Sequence, residues 1–342
     1  MRVLVTGATG LLGVPIVREL LARGHSVRAL VRPASALAGL EGAAVEIARG
    51  DVLDAASVRA ALAGQEGLVH AAGIPRIGAD PGQTFAVNVR GVEVVLEEAL
   101  RAGVSRAVVT SSTAVLGGTR EPFVADESTP GNAEPLGIAY FVSKLRGERA
   151  ALGFAARGLP LAVVRPSYVL GPGDTHGSSA AIVVALARRR IPGWVAGGAS
   201  FCDVRDVARG HAEALLRGRP GEVYILGGHN LEMSEFMART CAAAGVPRPP
   251  RIPYPIAFGA AALQEAWAKL AGRRPATTRD LARSAALYTW VSSAKAEREL
   301  GYVIRPFEEM LVDTLRFALD SGRLKPETAE LRAIASSRRT AA

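Results

Sequence analysis

The chain has 342 residues, 49% of them hydrophobic and 21% charged, a balance that excludes the disordered classes and suffices for a dinucleotide-binding domain plus a smaller second domain. The formal charge is +9, but its cations are nearly all Arg and scattered, and no nucleic-acid module accompanies them; anionic small ligands are expected as partners, and nucleic acid is not. Only Cys202 and Cys241 are present, without metal-type spacing, so neither a disulfide framework nor a metal site is expected and a reducing cytoplasm fits.

In chain order, Val3 to Val5 runs into Gly7-x-x-Gly10-x-x-Gly13, and Leu11 to Ala22 carries apolar residues at helical spacing. Strand, glycine turn and helix in that order form a dinucleotide cradle. Glycine allows the tight turn and the close approach of a pyrophosphate, which then rests on the free N–H groups of the helix start. A strand this early leaves no room for a signal peptide, and apolar runs such as Ile256 to Leu263 are too short for a membrane span. A cytoplasmic protein without membrane insertion is therefore expected.

His25 to Val31 forms the second strand, and its exit bears on the cofactor. An acid there would bind the ribose 2′-hydroxyl of NAD; Arg suits the 2′-phosphate of NADP. Arg32 stands at this exit, which favours NADP, with NAD as the alternative. Val45 to Ala48 is a third strand, followed by Gly50-Asp51-Val52 and a helix capped by Asp54. Gly67 to His70 is a fourth, ending in Ala71-Ala72-Gly73, small residues over which a flat cofactor can lie; His70 itself reads as a packed core histidine. A helix from Asn88 to Arg101 leads to a fifth strand, Val104 to Ser111, which stops in the hydroxyl cluster Thr110-Ser111-Ser112-Thr113. The helix Ile138 to Arg157 carries Tyr140-x-x-x-Lys144, a spacing that sets both side chains on one face. Leu161 to Val164 is the sixth strand and leaves through Arg165-Pro166-Ser167-Tyr168-Val169.

The second half is expected to choose the substrate. Helices are expected over Ser179 to Arg190, from Asp206 as cap through Leu216, and over Glu232 to Ala244, while Glu222 to Leu226 is a short strand that rejoins the sheet. His211 reads as structural. Pro247 to Pro255 is a stiff surface linker, followed by helices Ile256 to Ala271, Thr277 to Leu287, Ser293 to Leu300 and Pro306 to Leu319, and from Lys325 by a loosely held helix or tail.

The motifs T-G-A-T-G-L-L-G at 6 to 13, Gly50-Asp51-Val52, His70 to Gly73, Asn88-Val89-x-Gly91, V-T-S-S at 109 to 112, Tyr140-F-V-S-Lys144, Arg165 to Asp174, Asp203 to Ala208 and Ala296 to Tyr302 stand in the order of the extended short-chain dehydrogenase/reductase family, which the chain resembles over nearly its whole length. Within it, R-D-V-A-R-G-H-A-E-A-L-L-R-G and G-E-V-Y-I-L-G-G resemble the branch of dihydroflavonol reductases, 3β-hydroxysteroid dehydrogenases and hopanoid-associated sugar epimerases. The resemblance implies an α/β fold, a doubly wound parallel Rossmann sheet with a smaller, mostly helical C-terminal substrate domain. It would divide the chain into 1–170, rejoined by about 200–227, for the cofactor; 171–199 and 228–322 for the substrate; and a tail at 323–342. It implies Tyr140 as proton donor and acceptor, Lys144 as its electrostatic partner and ribose ligand, and Ser112 as the hydroxyl that polarises a carbonyl, with Ser111 and Thr113 as fallbacks. For the cofactor it implies Gly7, Thr9, Gly10, Leu11, Leu12, Gly13, Arg32, Asp51, Val52, Ala71, Ala72, Gly73, Pro166 and Val169 beside Tyr140 and Lys144. A homodimer through the helices near 88–101 and 138–157 is the family expectation.

One departure bears on the substrate. Nucleotide-sugar relatives carry an Arg two residues before the Phe of the F-V-x-V-x-D-V-A segment; Ala199 stands there, ahead of Phe201, and Ser167-Tyr168 replaces a usual Asn. A buried diphosphate without cationic partners is costly. The expected activity is an NADP-dependent reduction of a ketone or aldehyde, or the reverse oxidation, on a fairly apolar secondary-metabolite, steroid-like or β-keto compound. The alternatives are a sugar epimerase or dehydratase using the same site and a non-catalytic NADP-sensing regulator.

Overall fold

The computed structural model describes residues 1–174, 180–273 and 275–337; Ser179, at the start of an expected helix, and residues 338–342 of the expected tail lie outside the described residues. Twelve strands follow in chain order: β1 Arg2–Thr6, β2 Ser26–Val31, β3 Val45–Arg49, β4 Gly67–His70, β5 Arg106–Thr110, β6 Val124–Ala125, β7 Leu161–Pro166, β8 Tyr168–Leu170, β9 Gly198–Asp203, β10 Val223–Leu226, β11 His229–Glu232 and β12 Tyr288–Val291. Seven of them form a parallel sheet in the order β10-β7-β5-β4-β1-β2-β3. The strands are apolar on both faces because helices cover both. Helices Gly13–Ala22 and Val204–Arg217 bury Ile16, Val17, Leu20, Val207 and Leu215 on one side. On the other, Ala55–Leu62, Gly91–Arg101 and Ala139–Ala156 bury Val58, Leu62, Val95, Leu96 and Phe154. The strand order reverses between β1 and β4, and a crevice for ligands opens at the carboxyl ends of strands at such a switch point.

A second, smaller sheet, β11-β9-β12-β6 with β8 alongside β9, draws β9, β11 and β12 from the half expected to be mostly helical and β6 and β8 from the first half. β9 runs directly into helix Val204–Arg217, and this changes the cap. Asp203, in extended conformation, accepts from the Arg205 N–H at 2.8 Å, so Asp203 and not Asp206 is the N-cap. Asp206 lies in the first helical turn, buried, and accepts from the Arg305 backbone N–H at 2.7 Å. An aromatic cluster holds the second core: Phe201 stacks on Phe236 at 4.3 Å and meets Phe307 edge-on. Helix Ala329–Ser336, in the segment expected to be loosely held, buries Leu331 and Ile334 in that core, because two apolar residues one turn apart suffice to dock it. Among the described residues no helix is long and apolar enough to cross a membrane.

Candidate active site

The glycine loop fits a dinucleotide on steric grounds alone. Gly7 sits at φ +69°, and a Cβ there would stand 2.6 Å from Ala72 N; a Cβ on Gly13 would stand 2.0 Å from the Gly7 carbonyl oxygen. Gly7 thus needs glycine for its backbone and for contact with the end of β4, and Gly13 for helix–strand packing. A Cβ on Gly10 would meet only the Gly7 oxygen, at 3.2 Å, so this backbone faces open space. Helix Gly13–Ala22 starts from Leu12 with no side-chain cap, which leaves N–H donors at the positive end of its dipole for a phosphate. Thr9, Gly10, Leu11 and Leu12 are half-buried around that opening.

The remaining cofactor positions spread along the same strand ends. Ala71 donates to the Thr6 carbonyl at 3.2 Å and Ala72 to Thr6 Oγ1 at 3.3 Å, which seats Ala71-Ala72-Gly73 against the glycine loop. Arg32 is exposed at the exit of β2, and Arg49 Nη1 donates to its carbonyl at 3.2 Å, so a second guanidinium stands at the same exit. Asp51 accepts from Leu53 N at 2.9 Å, and Val52 is half-buried beside Gly91. Pro166 closes β7, buried, whereas Val169 belongs to the apolar core and pairs with Cys202.

Ser112, Tyr140 and Lys144 converge beyond the end of β5. Ser112 caps the short 3-10 turn Thr113–Leu116, accepting from Ala114 N at 3.1 Å, and its side chain is near enough to the Tyr140 hydroxyl to favour the phenolate. Lys144 Nζ, one turn beyond Tyr140, donates to the Thr110 carbonyl at 3.0 Å. Of the fallback hydroxyls, Ser111 Oγ is buried without a partner among the described residues, and Thr113 is buried.

Burial dominates the proton affinities. It raises the Tyr140 phenol above its ordinary value, and the Ser112 hydroxyl only partly opposes the shift. It pushes the Lys144 ammonium down to about 8, partly countered by the Glu148 carboxylate one turn further on. The sequence predicts a lowering of Tyr140 by Lys144; burial instead shifts it upward.

Three contributors were not singled out from the sequence. Asn88, buried within a π-helical turn Ala86–Arg90, accepts from Ile74 N at 2.8 Å and donates to the Ile74 carbonyl at 3.1 Å and to Ser143 Oγ at 3.0 Å. It thereby ties the loop after β4 to the helix that carries Lys144. Glu148 pairs with Arg165 in a buried bidentate bridge of 2.6 and 3.0 Å. Arg49 is the third. For Glu148 a signal existed, its position four residues after Lys144; for Asn88 only the family motif held one.

Beside Ser112 a recess begins at Thr113 and is walled by Leu116, Phe123, Tyr288 and Trp290. Among the described residues no charged side chain lines it. Where nucleotide-sugar relatives place an arginine, Ala199 is half-buried in β9, ahead of the Phe201–Phe236 stack.

Comparison with known proteins identifies the family. The model of the NAD dependent epimerase/dehydratase family matches residues 3–227. The 4-hydroxy-2-methyl-3-oxo-4-farnesyl-3,4-dihydroquinoline-1-oxide ketoreductase of Stigmatella aurantiaca is 33% identical over 94% of this chain and 98% of its own. Sterol demethylase protein B of Methylococcus capsulatus is 38% identical over 73% of this chain and 76% of its own. The crystal structure of the Thermus thermophilus UDP-glucose 4-epimerase complex with NAD superposes with a TM-score of 0.73 at 25% identity, covering 93% of this chain and 98% of that one.

Proposed function

The chain belongs to the NAD dependent epimerase/dehydratase family and is an NAD(P)-dependent oxidoreductase, and from that premise we propose that it is an NADP-dependent reductase of a ketone or aldehyde on a fairly apolar small molecule. The observation that carries this reading is the convergence of Ser112, Tyr140 and Lys144 beyond the end of β5, with Lys144 Nζ held by the Thr110 carbonyl at 3.0 Å and burial favouring the protonated Tyr140. A reductase must begin its cycle with the proton on the donor, and burial keeps it there.

The glycine loop and Ala71-Ala72-Gly73 would hold a nicotinamide cofactor, which would supply the hydride. Tyr140 gives its proton to the carbonyl oxygen as negative charge develops, and Ser112 offers that oxygen a second hydrogen bond. The Lys144 cation, held by the Thr110 carbonyl, stabilises the phenolate left behind. Arg32 and Arg49 at the exit of β2 favour a 2′-phosphate. The relatives named as a ketoreductase of a farnesylated quinoline oxide and as a sterol demethylase protein support an apolar substrate. The epimerase reading lacks support in the substrate half, where Ala199 offers no charge to a diphosphate. A homodimer through helices Gly91–Arg101 and Ala139–Ala156 belongs to the same proposal.

The test is turnover of purified protein with NADPH or NADH against apolar ketones and aldehydes, alongside nucleotide sugars. We expect NADPH-dependent reduction of the ketones, reduced by about 10²–10⁴-fold in Tyr140→Phe. Turnover of nucleotide sugars alone would sink the substrate class, and equal use of NADH with no effect of Arg32→Ala would sink the cofactor.

A further inference from the structure

Helix Tyr254–Leu270 is turned inside out. Residues of an α-helix follow one another at about 100°, which places Ile256, Leu263, Trp267 and Leu270 within about 60° on one side. They are 63, 74, 60 and 89% exposed. The side against the protein carries small residues, with Ala261 and Ala268 buried, and Glu265, which is paired with Arg279 at 2.6 Å. A helix laid on a core shows the opposite arrangement. Single exposed leucines are ordinary, whereas a continuous apolar stripe along a helix marks a surface that something covers.

The charges around the stripe indicate what covers it. Arg120, stacked over the Tyr254 ring at 5.1 Å, and Arg251 stand exposed at its N-terminal end; Lys269 and Arg273 stand exposed at its C-terminal end. Between residues 248 and 273 the sole acid is Glu265, already paired. We propose that this helix lies flat on an anionic lipid surface, with Trp267 and the aliphatic side chains at the acyl boundary and the bracketing cations among the phosphates. A second copy fits less well. The stripe offers on the order of half of the ~800 Å² per partner of a standard interface. A two-fold axis would also set the cationic end of each antiparallel helix against the cationic end of the other.

The helix packs on Arg279–Ala285, whose Arg283 Nη1 donates to the Leu136 carbonyl at 3.1 Å, just ahead of the Tyr140 helix. Arg120 follows Gly118 and Thr119, which line the recess beside Ser112. Docking would therefore bring the recess close to the lipid phase in which an apolar substrate accumulates.

The test is co-sedimentation of the full chain with vesicles of phosphatidylcholine alone or with added phosphatidylglycerol, at low and high salt. The expected result is binding to the anionic vesicles, weakened by salt and by at least about tenfold in Leu263→Gln and in Trp267→Gln, with far-UV circular dichroism unchanged. Absence of binding to either vesicle, or undiminished binding of both variants, overturns the proposal. So does a dimer in light scattering that either variant converts to monomer, which would assign the face to a second copy. No cofactor or substrate enters the measurement, so its failure leaves the reductase reading standing.

Discussion

Lowering the pH from 7.5 to 5 should cost the fold about 4 kcal/mol through two buried histidines. His211 is fully buried, and its Nδ1 lies 2.8 Å from the Val207 carbonyl, which can only accept; the proton therefore sits on Nδ1, and Nε2 accepts from Thr110 Oγ1 at 2.8 Å. Protonating Nε2 would force that bond to reverse its direction, and burial pushes the imidazole down to about 4. His70, hydrogen-bonded to Thr6 Oγ1 at 2.8 Å, is pushed down to about 3 by burial and then by the Lys144 charge. In the unfolded chain both titrate near 6.5. Their folded values are depressed, so the stability they confer is complete above about 6.5 and is lost as the pH falls toward 4 and 3. Each histidine contributes about 1.4 kcal/mol per pH unit inside that window, or about 2 kcal/mol over the interval to pH 5. Guanidinium unfolding at the two pH values, with unchanged slopes, measures the sum. His211→Gln should remove about half of the pH dependence whatever it costs at pH 7.5. An unaltered dependence in that variant would refute the assignment of a buried neutral imidazole.

Gly13→Ala should abolish NADPH binding and lower the unfolding midpoint together, because its Cβ would stand 2.0 Å from the Gly7 carbonyl oxygen and the loop must move; fluorescence titration and thermal unfolding read the two effects. Glu148→Gln should destabilise by about 3–5 kcal/mol, since it leaves the Arg165 guanidinium buried without its carboxylate. The same change removes the group that raises the Lys144 proton affinity, so the alkaline limb of NADPH binding, placed near pH 8 by Lys144, should move to lower pH; a stationary limb would assign it elsewhere.

The parallel sheet was legible because most of its strands are short apolar runs followed by a turn signal, and the glycine spacing marked the tight turn between β1 and its helix. The second sheet was not. β6 is two residues long and pairs with Trp290 and Val291 far along the chain, and neither partner is long enough to show a period. The same limit misplaced the cap of helix Val204–Arg217: two acids stand three residues apart, and only the extended backbone of β9 decides for Asp203. The π-helical turn around Asn88 left no mark either, since one extra residue in a turn hardly disturbs an apolar pattern. Helix Tyr254–Leu270 shows a deeper limit. Periodicity finds the apolar stripe without saying which side faces the protein, and here the side is reversed.

The end of β5 explains how one strand serves both proton chemistry and fold. Thr110 uses both of its oxygens: its hydroxyl donates to His211, from a helix on one face of the sheet, and its carbonyl accepts from Lys144, from a helix on the other. Two residues on, Ser112 fixes the turn through Ala114 and reaches Tyr140. Lys144 and Tyr140 are thus referred to the same four-residue stretch, Thr110 to Thr113, and that stretch is clamped from both layers. A shift of either helix would alter the Lys144 contact and the approach of Ser112 to Tyr140 together. On the proposed reading, the geometry of Ser112, Tyr140 and Lys144 is therefore a property of the whole sandwich, and His211, on the far side of the sheet from the lysine, is part of what positions it.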